Sequence, residues 1–166
     1  DVYARSIISI GKDETFAELN ERLMEESAKL LKENLPLYLE GKLKAEPQEK
    51  EGIVIARNIS REQEQLCFDK EEIHVLYNHA RALIDVPSPY GVIDGKRIRF
   101  FKVRMEDTPH EYLPGEVLGF KDNAMEIACI GGILKVYELQ PEGKKRMDAD
   151  AFKNGIGRTL IGKQFA

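Results

Sequence analysis

The chain has no tryptophan, only 2 cysteines in 166 residues and an aromatic content of 8%. Two cysteines cannot make a disulfide scaffold. Cys67 and Cys129 are far apart, each beside apolar residues, so they read as buried reduced thiols of a cytoplasmic protein. No apolar run approaches the roughly 18–20 residues that a helical membrane span needs, so no membrane partner is expected. Histidine is scarce too. His74 and His79 stand five apart on a helical stretch, off the shared face that i, i+4 metal ligands require, and no His/Cys/Asp cluster has ligand spacing. No metal and no cofactor site is therefore expected in this chain. No G-x-S-x-G elbow is present. "GRTLIGKQ" (157–164) matches the front of a phosphate-binding P-loop but has Gln where Ser or Thr must hold Mg²⁺, and no strand–helix context. The sequence shows no catalytic centre of its own.

What the chain does have is an ordinary globular balance, 42% hydrophobic and 33% charged, with a net charge of -4. The charge is uneven. Residues 1–56 hold 8 Lys+Arg against 12 Asp+Glu, and residues 57–166 hold 17 of each. Because screening limits a charge's reach to about 8–10 Å, local clusters matter more than the total.

"DVYARSIISI" is β-branched and aromatic and predicts a strand over 2–10. Thr15 and Glu18 form a capping-box pattern ahead of apolar residues at helical spacing, with Pro36 expected to interrupt and Gly41 to end the helix. "KLKAEPQEKEG" reads as a linker broken by the short extended run "IVIAR" (53–57). "DKEEIHVLYNHARAL" (69–83) predicts a second helix, with Asp69 as N-cap and Ile73, Leu76, Tyr77, Ala80 and Leu83 on one face. "DVPSPYG" forbids its continuation. From residue 90 the period becomes two. Asp94-Gly95 suits a type I′ hairpin turn, and "GEVLGF", "AMEIACI" and "ILKVYELQ" follow as strands, then a short helix capped by Asp148 and closed by Gly155. The expected class is α+β: a small antiparallel OB-like open β-barrel with flanking helices.

Two cation clusters stand out. In "KRIRFFKVR", strict alternation puts Arg97 and Arg99 on one face and Lys102 and Arg104 on the other, with Lys96 at the start. A bulge at Phe100-Phe101 would bring these four to one solvent face. A charged edge strand guarding against aggregation is the better explanation of such a stripe taken by itself. The run Lys144, Lys145 and Arg146, with Arg57 and Arg61 near the linker, moves the reading toward a polyanion contact. Aromatics for base stacking are scarce on these strands, so sequence readout is not expected.

"LQPEGKKRMDADAFKNG" (139–155) closely resembles the C-terminal signature of methionyl-tRNA formyltransferases, a strand running into Gln-Pro-x-Gly-Lys-Lys-x-Met and a short helix ending in Asn-Gly. "TFAELNERLMEESAKLLKENLPLYLEGKLKAEPQ" looks like the last helix of that family's catalytic domain and the start of its linker. "IARNISREQEQLCF" and "LPGEVLGF" are similar to further segments in order. Cys67-Phe68 stands where the family has Asp-Trp, and "DVPSPYG" replaces Asn-Pro-Trp-Pro. The resemblance implies residues 1–41 as the end of a Rossmann-like formyltransferase domain, 42–60 as linker and 61–166 as a C-terminal barrel. It implies initiator methionyl-tRNA as partner, 10-formyltetrahydrofolate as substrate of the parent enzyme, and catalytic Asn, His and Asp that no position here matches. Asp1 resembles the second Asp of the family's D-x-G-D, so the chain is expected to begin just after the catalytic Asp and to be inactive alone. An orphaned apolar helix face would favour self-association. A sugar-amine formyltransferase, a formyltetrahydrofolate hydrolase-like enzyme and a stand-alone RNA-binding module remain as alternatives.

Overall fold

The computed structural model describes residues 1–166. It divides into two compact units, Asp1–Asn58 and Ile59–Ala166.

The first unit is built on α1 (Phe16–Leu39). Both halves of the capping box form: the Glu18 amide donates to the Thr15 hydroxyl, and the Thr15 amide donates to the Glu18 carboxylate. Pro36 does not interrupt the helix as expected. It sits in the last turn, where a missing donor and a crowded carbonyl matter least, and the helix runs on to Leu39. Gly41, at φ 68°, then ends it by donating to the Tyr38 carbonyl. The strand expected over 2–10 does not form. A strand needs a neighbour for its N–H and C=O groups, and the segment has only one isolated bridge, Val2 to Glu46. Tyr3 instead lays its ring edge-on to Tyr38, 4.8 Å between centroids. No residue of α1 is buried. Its apolar side, with Tyr3, Ala4 and Leu43, walls an open hollow of about 460 Å³. "IVIAR" forms no ladder and its apolar side chains are exposed.

The second unit holds the sheet. Its strands are β1 (Tyr90–Ile93), β2 (Lys96–Glu106), β3 (Val117–Lys121), β4 (Ala124–Cys129), β5 (Gly132–Pro141) and the short β6 (Met147–Asp148). The order is β1-β2-β5-β4-β3, every pair antiparallel, with β6 beside β5. Asp94 and Gly95 turn β1 into β2 at φ 51° and 71°, and Asp122 and Asn123 turn β3 into β4 at φ 50° and 61°. The antiparallel sheet and flanking helices agree with the expected α+β class. The sheet is open, however, and no ladder joins β3 to β1 to close it as a barrel. The last residues span those edges instead. The Phe165 amide donates to Gly115, and the Ala166 amide to Val92. Gly115 has φ 86°, and a Cβ there would stand 2.5 Å from the Phe165 carbonyl oxygen, so glycine is required.

α2 (Ile73–Leu83) begins later than expected, and Asp69 does not cap it. The amides of Lys70 and Glu71 fold back on the Cys67 carbonyl, and the Ile73 amide donates to Ile130 at 2.8 Å, so the first turn is satisfied by backbone from another element. Ile73, Leu76, Tyr77, Ala80 and Leu83 are all buried, as their spacing predicts. α3 (Ala149–Asn154) is capped by Asp148, whose carboxylate accepts from Ala151 at 2.7 Å. α2 packs on β2 and β5, and α3 on β3, β4 and β5. Between helices and sheet lies a core of Phe68, Phe100, Val103, Ile127, Leu134, Val136, Leu139 and Phe165. Both thiols are free. Cys129 is buried and its thiol is pushed up to about 12 by that burial, whereas Cys67 is only half-buried.

"GRTLIGKQ" makes a short 3-10 turn (Gly157–Leu160) and the start of the tail along β3. His79 is held between the Glu71 carboxylate at 3.1 Å and the Gln63 carbonyl at 2.7 Å, and His74 lies 3.0 Å from Asp107.

Candidate nucleic-acid interface

The register of β2 against β5 decides which way the first cation cluster faces. Phe100 pairs with Leu139, Lys102 with Glu138 and Val103 with Val136, with register shifts on both sides of Lys102. Phe101 on β2 and then Tyr137 on β5 are each passed over, so the ladder is bulged at this step and returns to its original register at Val103. The shift resets alternation midway along the strand, so Ile98, Phe100 and Val103 all turn inward. Arg97, Arg99, Lys102 and Arg104 all remain exposed, together with Lys96 at the hairpin end. The bulge expected from the sequence is present, and one outer strand face carries a row of cations.

β5 brings the second cluster to the same end of that row. Ile98 pairs with Pro141 and Arg99 with Gln140, so the turn after Pro141 lies beside Arg97 and Arg99. The turn is fixed by Gly143 at φ 71°, by the Lys144 amide donating to Pro141 at 3.0 Å, and by the Gln140 side-chain amide donating to the Lys144 carbonyl at 2.8 Å. Lys144 and Lys145 project from it into solvent.

Arg146 is different from its two neighbours. Its Nε and Nη2 donate to the two oxygens of Glu138 at 2.6 and 2.7 Å. Its Nη1 lies 3.7 Å from Asp85, and its guanidinium stacks on the bulged Phe101 ring at 4.2 Å. A bidentate, stacked guanidinium is spent on its own fold. The hydrogen bond from Arg146 holds the Glu138 carboxyl below the usual carboxylate range, and the bond to Glu138 raises Arg146. Of the consecutive cations, then, two are free and the third clamps the strand behind them. Sequence reading missed the clamp: Glu138 pairs with Asp148 in the ladder, and Arg146 reaches it diagonally from nearer the turn.

The other cations are held more loosely. Lys102 lies over the Tyr137 ring at 5.9 Å, and Arg97 over Tyr90 at 5.7 Å. Arg104 donates to its own strand's Val103 carbonyl at 3.0 Å. Lys96, Arg99, Lys144 and Lys145 take no part in the ion pairs of the sheet. At the far end the row is closed by an acidic pair around Lys135, which bonds Glu106 and lies 3.7 Å from Glu126. The bond from Lys135 lowers the Glu106 carboxyl, and the bond to Glu106 raises Lys135. Arg61 offers its carbonyl to the Tyr90 hydroxyl at 3.3 Å, and its side chain stays exposed, as does that of Arg57 in the first unit.

Between the two clusters is a shallow depression of about 220 Å³ lined by Arg97, Arg99, Gln140, Pro141, Glu142 and Gly143. The Glu142 carboxylate lies in it, accepting from the Arg97 amide at 3.2 Å and standing 3.9 Å from the Arg97 guanidinium. No group of His, Cys, Asp and Glu side chains is arranged to hold a metal ion. No helix is long and apolar enough to cross a membrane.

Comparison with known proteins places this geometry. Over 166 residues the chain is 30% identical to the methionyl-tRNA formyltransferase of Streptococcus agalactiae, covering 99% of this chain and 52% of that protein. Over 161 residues it is 35% identical to the methionyl-tRNA formyltransferase of Geobacillus thermodenitrificans, covering 96% and 50%. The chain thus spans about half the length of the curated relatives it matches, and its resemblance to a C-terminal portion of those proteins is borne out. Among solved structures, a variant of HypX from Aquifex aeolicus shares the fold with a TM-score of 0.72 at 15% identity, covering 97% of this chain and 29% of that one. The profile described as formyl transferase, C-terminal domain, matches residues 58–157, more than half of the chain and all of the cation row, and the chain belongs to that family.

Proposed function

We propose that this chain supplies the tRNA-positioning half of a methionyl-tRNA formyltransferase, an enzyme that moves a formyl group from 10-formyltetrahydrofolate to the amino group of initiator methionyl-tRNA in the cytoplasm. The observation that carries the reading is the bulge at Phe101. It aligns Arg97, Arg99, Lys102 and Arg104 on one outer face beside the Lys144-Lys145 turn. An extended row of exposed cations suits a phosphate backbone, which is bound by charge and without regard to base sequence. Lys96, Arg97, Arg99, Lys102, Arg104, Lys144 and Lys145 are the proposed contacts, with Arg146 holding the turn. On this reading the formyl donor and the catalytic Asn, His and Asp belong to another part of the enzyme, and this chain alone does not formylate. An OB-like relation of the open sheet is part of the same proposal.

The test is binding to initiator tRNA between 50 and 200 mM salt. Contact with about five phosphates predicts a fall in affinity of roughly a hundred- to five-hundred-fold across that range. Changing Lys144 and Lys145 to Ala should weaken binding at low salt and flatten the slope. Equal slopes for both proteins, or binding indifferent to salt, would leave the row as solvated surface and favour a family member that acts on a sugar amine.

A further inference from the structure

The depression between the two clusters has the donors of an anion site and already holds an anion. The Arg97 amide and guanidinium both face the Glu142 carboxylate, at 3.2 and 3.9 Å. Arg99 points its unpaired side chain to the same hollow, whose floor is the turn at Gly143. Glu142 is half exposed and its guanidinium contact is long, so a group with more charge can replace it at small expense. The turn itself does not depend on that carboxylate. It is fixed by the Lys144 amide on Pro141, the Glu142 amide on Arg97 and the Gln140 side chain on Lys144.

We infer that Arg97, Arg99 and the 140–143 turn form a subsite for one phosphate group, and that Glu142 is its internal competitor, displaced when a phosphate enters. The inference rests on the tRNA reading for its natural ligand but not for its chemistry. A phosphate monoester offers two oxygens to the amide and guanidinium of Arg97 and a third to Arg99, and a phosphodiester shares its two non-bridging oxygens among the same donors. Isolated carboxylates would gain nothing over the resident one. The subsite therefore sets a threshold that favours polyphosphorylated or nucleic-acid ligands over acidic peptides.

The experiment uses the 166-residue chain and inorganic tripolyphosphate, followed by amide chemical shifts, with initiator tRNA in a parallel titration. Glu142→Gln should tighten tripolyphosphate binding about three- to fivefold, as expected for removing one competing exposed charge. Asp122→Asn, an equal charge change in the β3–β4 turn, should have much less effect. In an Arg97→Met background, which keeps the amide but loses the guanidinium, Glu142→Gln should have a clearly smaller effect. The amides of Arg97 and Gly143 should be among those that shift most. Equal tightening by Glu142→Gln and Asp122→Asn, or none by either, overturns the subsite, as does an undiminished effect without Arg97. If tRNA does not bind while tripolyphosphate shows the Glu142 effect, the subsite stands and the tRNA reading falls. If tRNA binds but Glu142→Gln alters neither titration, the subsite falls and the tRNA reading stands.

Discussion

Replacing Arg146 by lysine would keep the charge and lose both the fork to Glu138 and the stack on Phe101. Both partners are partly exposed, so solvent screens the pair, and the loss should be about 1 kcal/mol. Its pH dependence identifies it. The folded Glu138 carboxyl is held below its ordinary range, so the stability it contributes is fully present above that range and is lost as pH falls through the folded value. Glu138→Gln should therefore be less stable than the parent chain at pH 7, and the gap should begin to narrow below about pH 4, where a free glutamate protonates. Urea midpoints at several pH values check this, and a gap that does not narrow at all as pH falls would assign the clamp no electrostatic share. At the same scale, the three adjacent cations of the turn are chemically alike in the sequence and differ in the fold. What separates them is a carboxylate eight residues away on the neighbouring strand, which is not visible in a run of letters.

At the scale of elements, the bulge in β2 governs the whole outer face. Deleting Phe101 would leave Ile98, Phe100 and Val103 in plain alternation, whereas deleting Arg99 would set Ile98 beside Phe100 and turn one half of the strand over, putting either Ile98 or both Phe100 and Val103 into solvent. Both choices empty core positions that are fully or nearly buried, so the Arg99 deletion variant should not fold to a native dispersion of amide resonances. A well-dispersed spectrum would show that the pairing can slip without loss. Most of this layer was legible in the sequence. The hairpin at Asp94-Gly95, the inward face of α2, the capping box of α1 and the cap at Asp148 all follow from local spacing, and local rules held there. The bulge could be anticipated because two adjacent phenylalanines break the alternation of a strand that otherwise has a plain inward set. What failed depended on distant partners. The segment 2–10 has strand composition but no ladder, and the first turn of α2 takes its acceptor from Ile130 rather than from Asp69. Pro36 was misjudged for a positional reason, since a proline near a helix end removes little. The openness of the sheet is likewise set by pairing over long sequence distance, on which strand counting is silent.

At the scale of the whole molecule, the two units differ in what holds them. α1 buries none of its residues, so it relies on capping and i, i+4 contacts, which leave a helix of this length only marginally stable in water. The sheet of the second unit encloses a continuous apolar core. Trypsin should therefore cut first among Lys42, Lys44, Lys50 and Arg57, all exposed, and leave a resistant fragment beginning near Asn58. Equal amide-exchange protection in α1 and in β5 would contradict this. One feature of the second unit also has a bearing on how the chain is made. Phe165 sits 5.3 Å from Phe68 and 5.7 Å from Phe100, against a Gly91 where any Cβ would collide with its ring, and the adjoining backbone fastens to both outer strands. The ribosome delivers Phe165 nearly a hundred residues after Phe68, on the order of 5–20 s later at usual elongation rates. For that interval the nascent domain waits with an aromatic slot unfilled, and the arrival of Phe165, rather than the emergence of the sheet, determines when its interior is sealed.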